Sequence, residues 1–238
     1  VADRTMPERL ANRAFGRSVG RTNQPRGTAH ILVRLDVADY LSVLALLCAW
    51  TGIVFLLSGE PNWAVVVLLV AFGFDKLDGF VARRYGLATD LGRQLDAFVD
   101  VFAYLVSGAL LFHVALSPTP IASVVVGFCV VCFGGLRLIR FTSEGFRTEA
   151  DTSYYRGITV VHVNVLVLVN YLLAAFVGVW NGWLAAGTVV LACPLMVSEY
   201  KSYKTVKSQA VAALAGVLVA GLCLALEFGV VPAGVIGG

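Results

Sequence analysis

The feature that most constrains this chain is a set of carboxylates set into sequence that otherwise belongs in lipid. Residues 74–100 read FDKLDGFVARRYGLATDLGRQLDAFVD and carry Asp75, Asp78, Asp96 and Asp100. The run PNWAVVVLLVAFG leads into this stretch and VFAYLVSGALLF leads away from it. A charge at the centre of a bilayer costs about 2.5–3.5 kcal/mol even on the gentlest insertion scale. Something must offset that cost for several acids at once, and a bound divalent cation does so.

Composition supports the lipid reading. Of the 238 residues 58% are hydrophobic and 14% charged, with a mean hydropathy of +0.82. A soluble domain carries about 25% charge, so a membrane protein is expected and a separate soluble domain is not. Seven apolar spans follow one another at about 37–58, 62–83, 92–115, 119–141, 158–179, 183–200 and 208–229. The connections SGEPN, LSPTP and VWNGW and the tail VVPAGVIGG contain no Lys or Arg. The alternate connections hold Arg83, Arg84 and Arg93, then Arg137, Arg140, Arg147 and Arg156, then Lys201, Lys204 and Lys207. By the positive-inside rule the basic set is cytoplasmic, as is the N-terminus, and the C-terminus lies outside. Residues 1–36 form an Arg-rich arm in which Arg9, Arg13, Arg17 and Arg21 recur every fourth residue. If helical, it suits an anionic membrane surface; otherwise it is a basic tail that helps to set topology. Cys48, Cys129, Cys132, Cys193 and Cys223 all lie in apolar runs and read as small packing residues.

This topology puts the acids at the cytoplasmic ends of spans two and three, joined by a short turn near residues 86–89. Asp75, Asp78, Gly79 and Ala82 then share one helical face, and Gly92, Asp96 and Asp100 share a face of the next helix. Two acidic faces on neighbouring helices converge on one polar cavity. Carboxylate oxygens are hard ligands suited to Mg2+ or Mn2+, and this set can hold one or two such ions. Gly79 and Ala82 leave room for a bulky ligand beside the backbone, and Arg83 suits a diphosphate. Together these point to a nucleotide diphosphate site. A purely structural acidic cluster or an ion path accounts less well for the Gly, Ala and Arg spacing. The residues alone do not select a base among the four acids.

The pattern Asp75-x-x-Asp78-Gly79-x-x-Ala82-Arg83, then eight residues, then Gly92-x-x-x-Asp96-x-x-x-Asp100, resembles the signature of the CDP-alcohol phosphotransferases at all eight positions. Asp39-Tyr40-Leu41-Ser42 looks like that family's first helix, which borders the nucleotide. The resemblance implies an all-α integral membrane core of about six helices (residues 37–207), often homodimeric and preceded by a cytoplasmic amphipathic segment. Residues 208–238 would add a further transmembrane helix and tail. It also implies that Asp75, Asp78, Asp96 and Asp100 hold a divalent metal pair, with Asp100 as general base. Asp39, Ser42, Gly79, Ala82, Arg83 and Gly92 would border the CDP group. The implied reaction is attack of an alcohol on a CDP-lipid, with departure of CMP.

Three later segments resemble the phosphatidylserine synthase branch: Gly135-Leu136-Arg137-Leu138-Ile139-Arg140-Phe141, Tyr155-Arg156-Gly157, and Leu195-Met196-Val197-Ser198 with Lys201 and Lys204. There are two departures from it: Ile158, Thr159, Val160 and Val161 follow Gly157 where prolines are usual, and Thr142 stands where an Asn is usual. The branch implies serine as acceptor. A zwitterion needs a cation for its carboxylate, and Arg137, Arg140 and Arg156 are available, although they also serve as positive-inside residues or headgroup contacts. Glu144 or Glu149 could meet the ammonium, and His162 and Asn164 could face the cavity. The acceptor could instead be glycerol phosphate, inositol phosphate or another small alcohol. A different class, a membrane metal-ion transporter, would use the same intramembrane acids. The partners expected are a CDP-lipid, a small hydroxyl acceptor, membrane lipid and a second copy of the chain, with no nucleic acid.

Overall fold

The computed structural model describes residues 35–144, 147–149, 152–203 and 206–230. The Arg-rich arm and the last residues of the tail lie outside them. Seven helices occur among the described residues: α1 Val37–Leu57, α2 Pro61–Tyr85, α3 Asp90–Ala115, α4 Pro120–Glu144, α5 Val160–Phe176, α6 Gly182–Ala192 and α7 Val206–Glu227. Six of them coincide with the expected spans to within a few residues; the sixth, expected over 183–200, ends as an α-helix at Ala192 and continues as the 3-10 turn Cys193–Val197. Helices Val37–Leu57 and Asp90–Ala115 and the stretch Pro120–Ser143 are long and apolar enough to cross a membrane, while Val160–Phe176, Gly182–Val197 and Leu214–Glu227 are shorter apolar helices. Helix α2 has 25 residues but carries Asp75, Lys76, Asp78, Arg83 and Arg84 in its second half.

The outward faces of these helices are apolar. Leu47 and Trp50 on α1 are 59% and 54% exposed, and Val124 and Phe128 on α4 are 71% and 68% exposed. A helix that is hydrophobic all round lacks the polar face that water requires, so its surroundings are lipid. The inward faces are small. Ala45, Ala49, Ala64 and Ala71 are fully buried, which lets α1 and α2 approach closely in the way membrane helices favour. Gly52 belongs to the same seam, because a Cβ there would lie 2.7 Å from Leu68 Cγ.

Local signals set the helix ends. Pro61 occupies the first turn of α2, where a missing N–H costs nothing. Gly86 ends α2 with φ +68°, the left-handed conformation that favours glycine. Thr89 then caps α3 by accepting from Gly92 N at 2.9 Å. Two features depart from a plain bundle. Helix α3 contains a π-helical segment, Val101–Val106, directly after Asp100. Beyond α4 the chain forms β1 Arg147–Glu149 and β2 Thr152–Arg156, and β3 Lys201–Tyr203 follows α6. These short strands pair antiparallel in the order β1-β2-β3, with Tyr154 opposite Tyr203 and Arg156 opposite Lys201. The sheet ties the α4–α5 connection to the end of α6, an addition to the helical fold that the sequence reading did not include.

Helix α7 packs on α2. Glu227 near its end accepts from Asn62 Nδ2 at 3.0 Å, and Asn62 Oδ1 accepts from Tyr171 OH at 2.6 Å. This polar chain joins α2, α5 and α7 at the end of α2 remote from the acids.

Candidate active site

The acids of α2 lie one turn apart and are buried, Asp75 at 7% and Asp78 at 5% exposure. Helix α3 returns beside α2 after the tight turn at Gly86 and presents Asp96 to them. Carboxylate oxygens of Asp75, Asp78 and Asp96, one from each residue, all lie within 4.8 Å of one another. Three hard oxygen donors at that separation fit a divalent cation of the magnesium or manganese type. Asp100, one turn further along α3, stands outside this triad but interacts electrostatically with both Asp75 and Asp96. The structure thus gathers three of the four acids, with the fourth adjoining.

Helix α1 closes the site from the side. Ser42 is buried and donates its Oγ hydrogen to Asp78 Oδ2 at 2.5 Å. A hydrogen bond to a charged group is worth about 1.5–3 kcal/mol, which helps to hold α1 in place. Asp39 is also buried, and its Oδ2 accepts from Asp36 N at 3.0 Å at the start of α1. Its other oxygen approaches Gly92 so closely that a Cβ there would lie 2.8 Å from it. Gly92 therefore admits the Asp39 carboxylate to the first turn of α3. At Gly79 a Cβ would meet Arg83 Nη1 at 3.2 Å, so the guanidinium folds back over the glycine. Ala82 is half-buried, and its carbonyl closes the α2 terminus by accepting from Gly86 N and Leu87 N.

The arginines proposed for the acceptor make definite contacts. Arg137 is buried, donates from Nε to the Ile158 carbonyl at 3.1 Å, and interacts electrostatically with Asp100. Arg140 donates to the Val197 carbonyl at 3.1 Å and to Met196 and Ser198 at 3.4 and 3.5 Å, closing the 3-10 turn Cys193–Val197 that ends α6. Of Arg156 only its place in β2 is described. Gly157, with φ +73°, brings the end of β2 against this turn: a Cβ would lie 2.3 Å from the Met196 carbonyl oxygen. Its N–H donates to Tyr200 O at 2.7 Å, and Ile158 N donates to Leu195 O at 3.1 Å. His162 bonds Thr159 Oγ1 at 2.7 Å at the start of α5, and Asn164 donates to the Tyr104 carbonyl at 2.9 Å.

The sequence model of the CDP-alcohol phosphatidyltransferases matches residues 35–194. The chain belongs to that family. Among curated relatives it is 33% identical over 109 residues to the archaetidylserine synthase of Methanothermobacter thermautotrophicus, covering 45% of this chain and 47% of the relative. It is 32% identical over 123 residues to the CDP-diacylglycerol–serine O-phosphatidyltransferase of Mycobacterium leprae, covering 51% and 40%. The Saccharomyces cerevisiae protein of the same description is 30% identical over 146 residues, covering 56% and 52%. The matches span about half or less of the length of these relatives.

Two residues of this candidate site were missed in the sequence. Lys76 Nζ lies 2.5 Å from Asp75 Oδ2 and 5.0 Å from the Phe72 ring centroid; its place beside Asp75 in an apolar run was the available signal. Tyr104 is buried and donates its hydroxyl hydrogen to Asp75 Oδ2 at 2.7 Å. It continues the four-residue series Gly92, Asp96, Asp100, which was the available signal.

Proposed function

We propose that this protein transfers a phosphatidyl-type group from a CDP-lipid, diacylglycerol- or archaeal ether-based, to the hydroxyl of L-serine, with release of CMP. The observation that carries the reading is the triad Asp75, Asp78 and Asp96, gathered within 4.8 Å in a chain whose family match spans residues 35–194. Serine is favoured because the relatives named above are described as serine transferases or an archaetidylserine synthase.

In this reading the CDP group lies along Gly79, Ala82, Arg83 and Gly92, with Asp39 and Ser42 of α1 beside it. Asp75, Asp78 and Asp96 would hold the divalent ion, with Asp100 as a further ligand. When bound, Mg2+ or Mn2+ neutralises diphosphate charge and stabilises charge that develops during displacement. The serine hydroxyl oxygen attacks the lipid-side phosphorus and gives its proton to Asp100. The bond from that phosphorus to the bridging oxygen breaks, and CMP leaves with the electron pair. Arg137, Arg140 and Arg156 belong to the acceptor side, and the electrostatic influence of Arg137 on Asp100 supports a place for Arg137 beside the chemistry.

Helices α1 to α6 form the transferase core, α7 is an addition, and the site faces the cytoplasm in a homodimeric multi-pass membrane protein, as the distribution of basic residues and the family resemblance argue. The transporter reading is not favoured for a member of this family. Purified protein supplied with CDP-diacylglycerol and radiolabelled serine, glycerol phosphate or inositol phosphate tests the acceptor. Label is expected in lipid from serine alone, and CMP release without serine incorporation would overturn the assignment. Asp100→Asn is expected to abolish turnover while weakening Mn2+ binding only in part.

A further inference from the structure

Each acid that α2 contributes to the triad is held at one oxygen by a hydroxyl from a different helix. Ser42 of α1 donates to Asp78 Oδ2 at 2.5 Å, and Tyr104 of α3 donates to Asp75 Oδ2 at 2.7 Å. Ser42 and Tyr104 are both 4% exposed, so neither hydroxyl is a surface group that happens to lie nearby. Lys76 reaches the same Asp75 oxygen from its own helix. Tyr104 is itself fixed. It lies within the π-helical segment Val101–Val106, and Asn164 of α5 donates to its carbonyl at 2.9 Å. Gly108 makes room for that amide, since a Cβ there would lie 3.0 Å from Asn164 Nδ2. Its ring also stands edge-on to Phe72 at 6.4 Å.

We propose that Ser42 and Tyr104 are positioning residues that lock the Asp78 and Asp75 carboxylates in the orientation that receives the divalent ion. The proposal rests on the metal-dependent reading above. A carboxylate in a membrane helix rotates about its terminal bond, and two unrestrained acids beside Asp96 repel one another. A hydroxyl fixed on one oxygen stops that rotation and leaves the other oxygen for the ion. It also satisfies a lone pair that water would otherwise have to reach. Outer partners of this kind are generally worth 10–100-fold in metal affinity. The arrangement gives the π-helical segment a purpose, because π-bulges gather at functional sites and this one carries the tyrosine.

The test is Mn2+ binding to the detergent-purified, substrate-free protein, read from the electron paramagnetic resonance signal of the free ion. Tyr104→Phe keeps the ring and loses only the hydroxyl, and about a tenfold rise in Kd is expected. Ser42→Ala is expected to do the same, and Ser42→Thr, which retains a hydroxyl, to recover most of the affinity. Tyr171→Phe serves as control: it also removes a buried hydroxyl, the one bonded to Asn62, and is expected to leave Kd unchanged. Wild-type affinity in both Tyr104→Phe and Ser42→Ala would overturn the proposal while leaving the metal site standing. An equal loss of affinity in Tyr171→Phe would also overturn it, by showing a general structural effect. Absence of Mn2+ binding by the wild type would overturn both this proposal and the metal reading.

Discussion

Substituting Gly157 by alanine tests how the two halves of the proposed acceptor side are joined. Two costs act together. The residue sits at φ +73°, where a side chain adds about 1–2 kcal/mol. The new Cβ would also lie 2.3 Å from Met196 O and 2.8 Å from Leu195 O, both backbone atoms that cannot rotate away. Forcing extra volume into a packed site costs about 1–3 kcal/mol. The sum, about 2–5 kcal/mol, is a large part of the 5–15 kcal/mol by which folded proteins are stable. It is concentrated where Gly157 N and Ile158 N bond to Tyr200 O and Leu195 O. Gly135→Ala provides the comparison, since a Cβ there meets nothing within 4 Å and alanine is the better helix former by about 1 kcal/mol. Denaturation in mixed micelles should show Gly157→Ala clearly destabilised and Gly135→Ala unchanged or slightly stabilised. Where Gly157→Ala still folds, the KM for serine should rise more than that for the CDP-lipid. A Gly157→Ala protein as stable and active as the wild type would refute this close packing.

Three further outcomes are expected. Gly92→Ala places a Cβ 2.8 Å from the Asp39 carboxylate and should raise the CDP-lipid KM several-fold in steady-state assays, with a smaller effect on serine. Arg140→Met removes the guanidinium from the carbonyls of residues 196–198 and should cost about 1–3 kcal/mol in the same micelle denaturation. Tyr171→Phe, at the far end of α2, should cost only about 0.6 kcal/mol, the average for a hydrogen bond between membrane helices, with kcat unchanged.

The helices were legible because length and polarity determine them locally. An apolar run of about 20 residues between loops has one way to satisfy its backbone in lipid. The pairing of the Asp75 and Asp96 faces followed from spacing plus a short turn, and Gly86 at φ +68° supplies that turn. What spacing could not convey was which atoms finally bond. Ser42 is engaged with Asp78, and Arg140 is engaged with the end of α6. The sheet was hidden because its strands Thr152–Arg156 and Lys201–Tyr203 are short and far apart in sequence. The π-helical segment was hidden because nothing in VFAYLV departs from an ordinary apolar helix. Tyr104 continues the spacing of Gly92, Asp96 and Asp100, but only the fold brings its hydroxyl to Asp75.

The central claim is that the Asp75, Asp78 and Asp96 triad drives metal-dependent transfer from a CDP-lipid to serine. The most direct measurement is CMP release by chelator-treated protein in micelles containing CDP-diacylglycerol, with serine and Mg2+ or Mn2+ added in either order. Release is expected only when serine and metal are both present, with equimolar incorporation of serine into lipid, and is expected to vanish in Asp96→Asn. CMP release that persists without metal, or at wild-type rate in Asp96→Asn, would contradict the account.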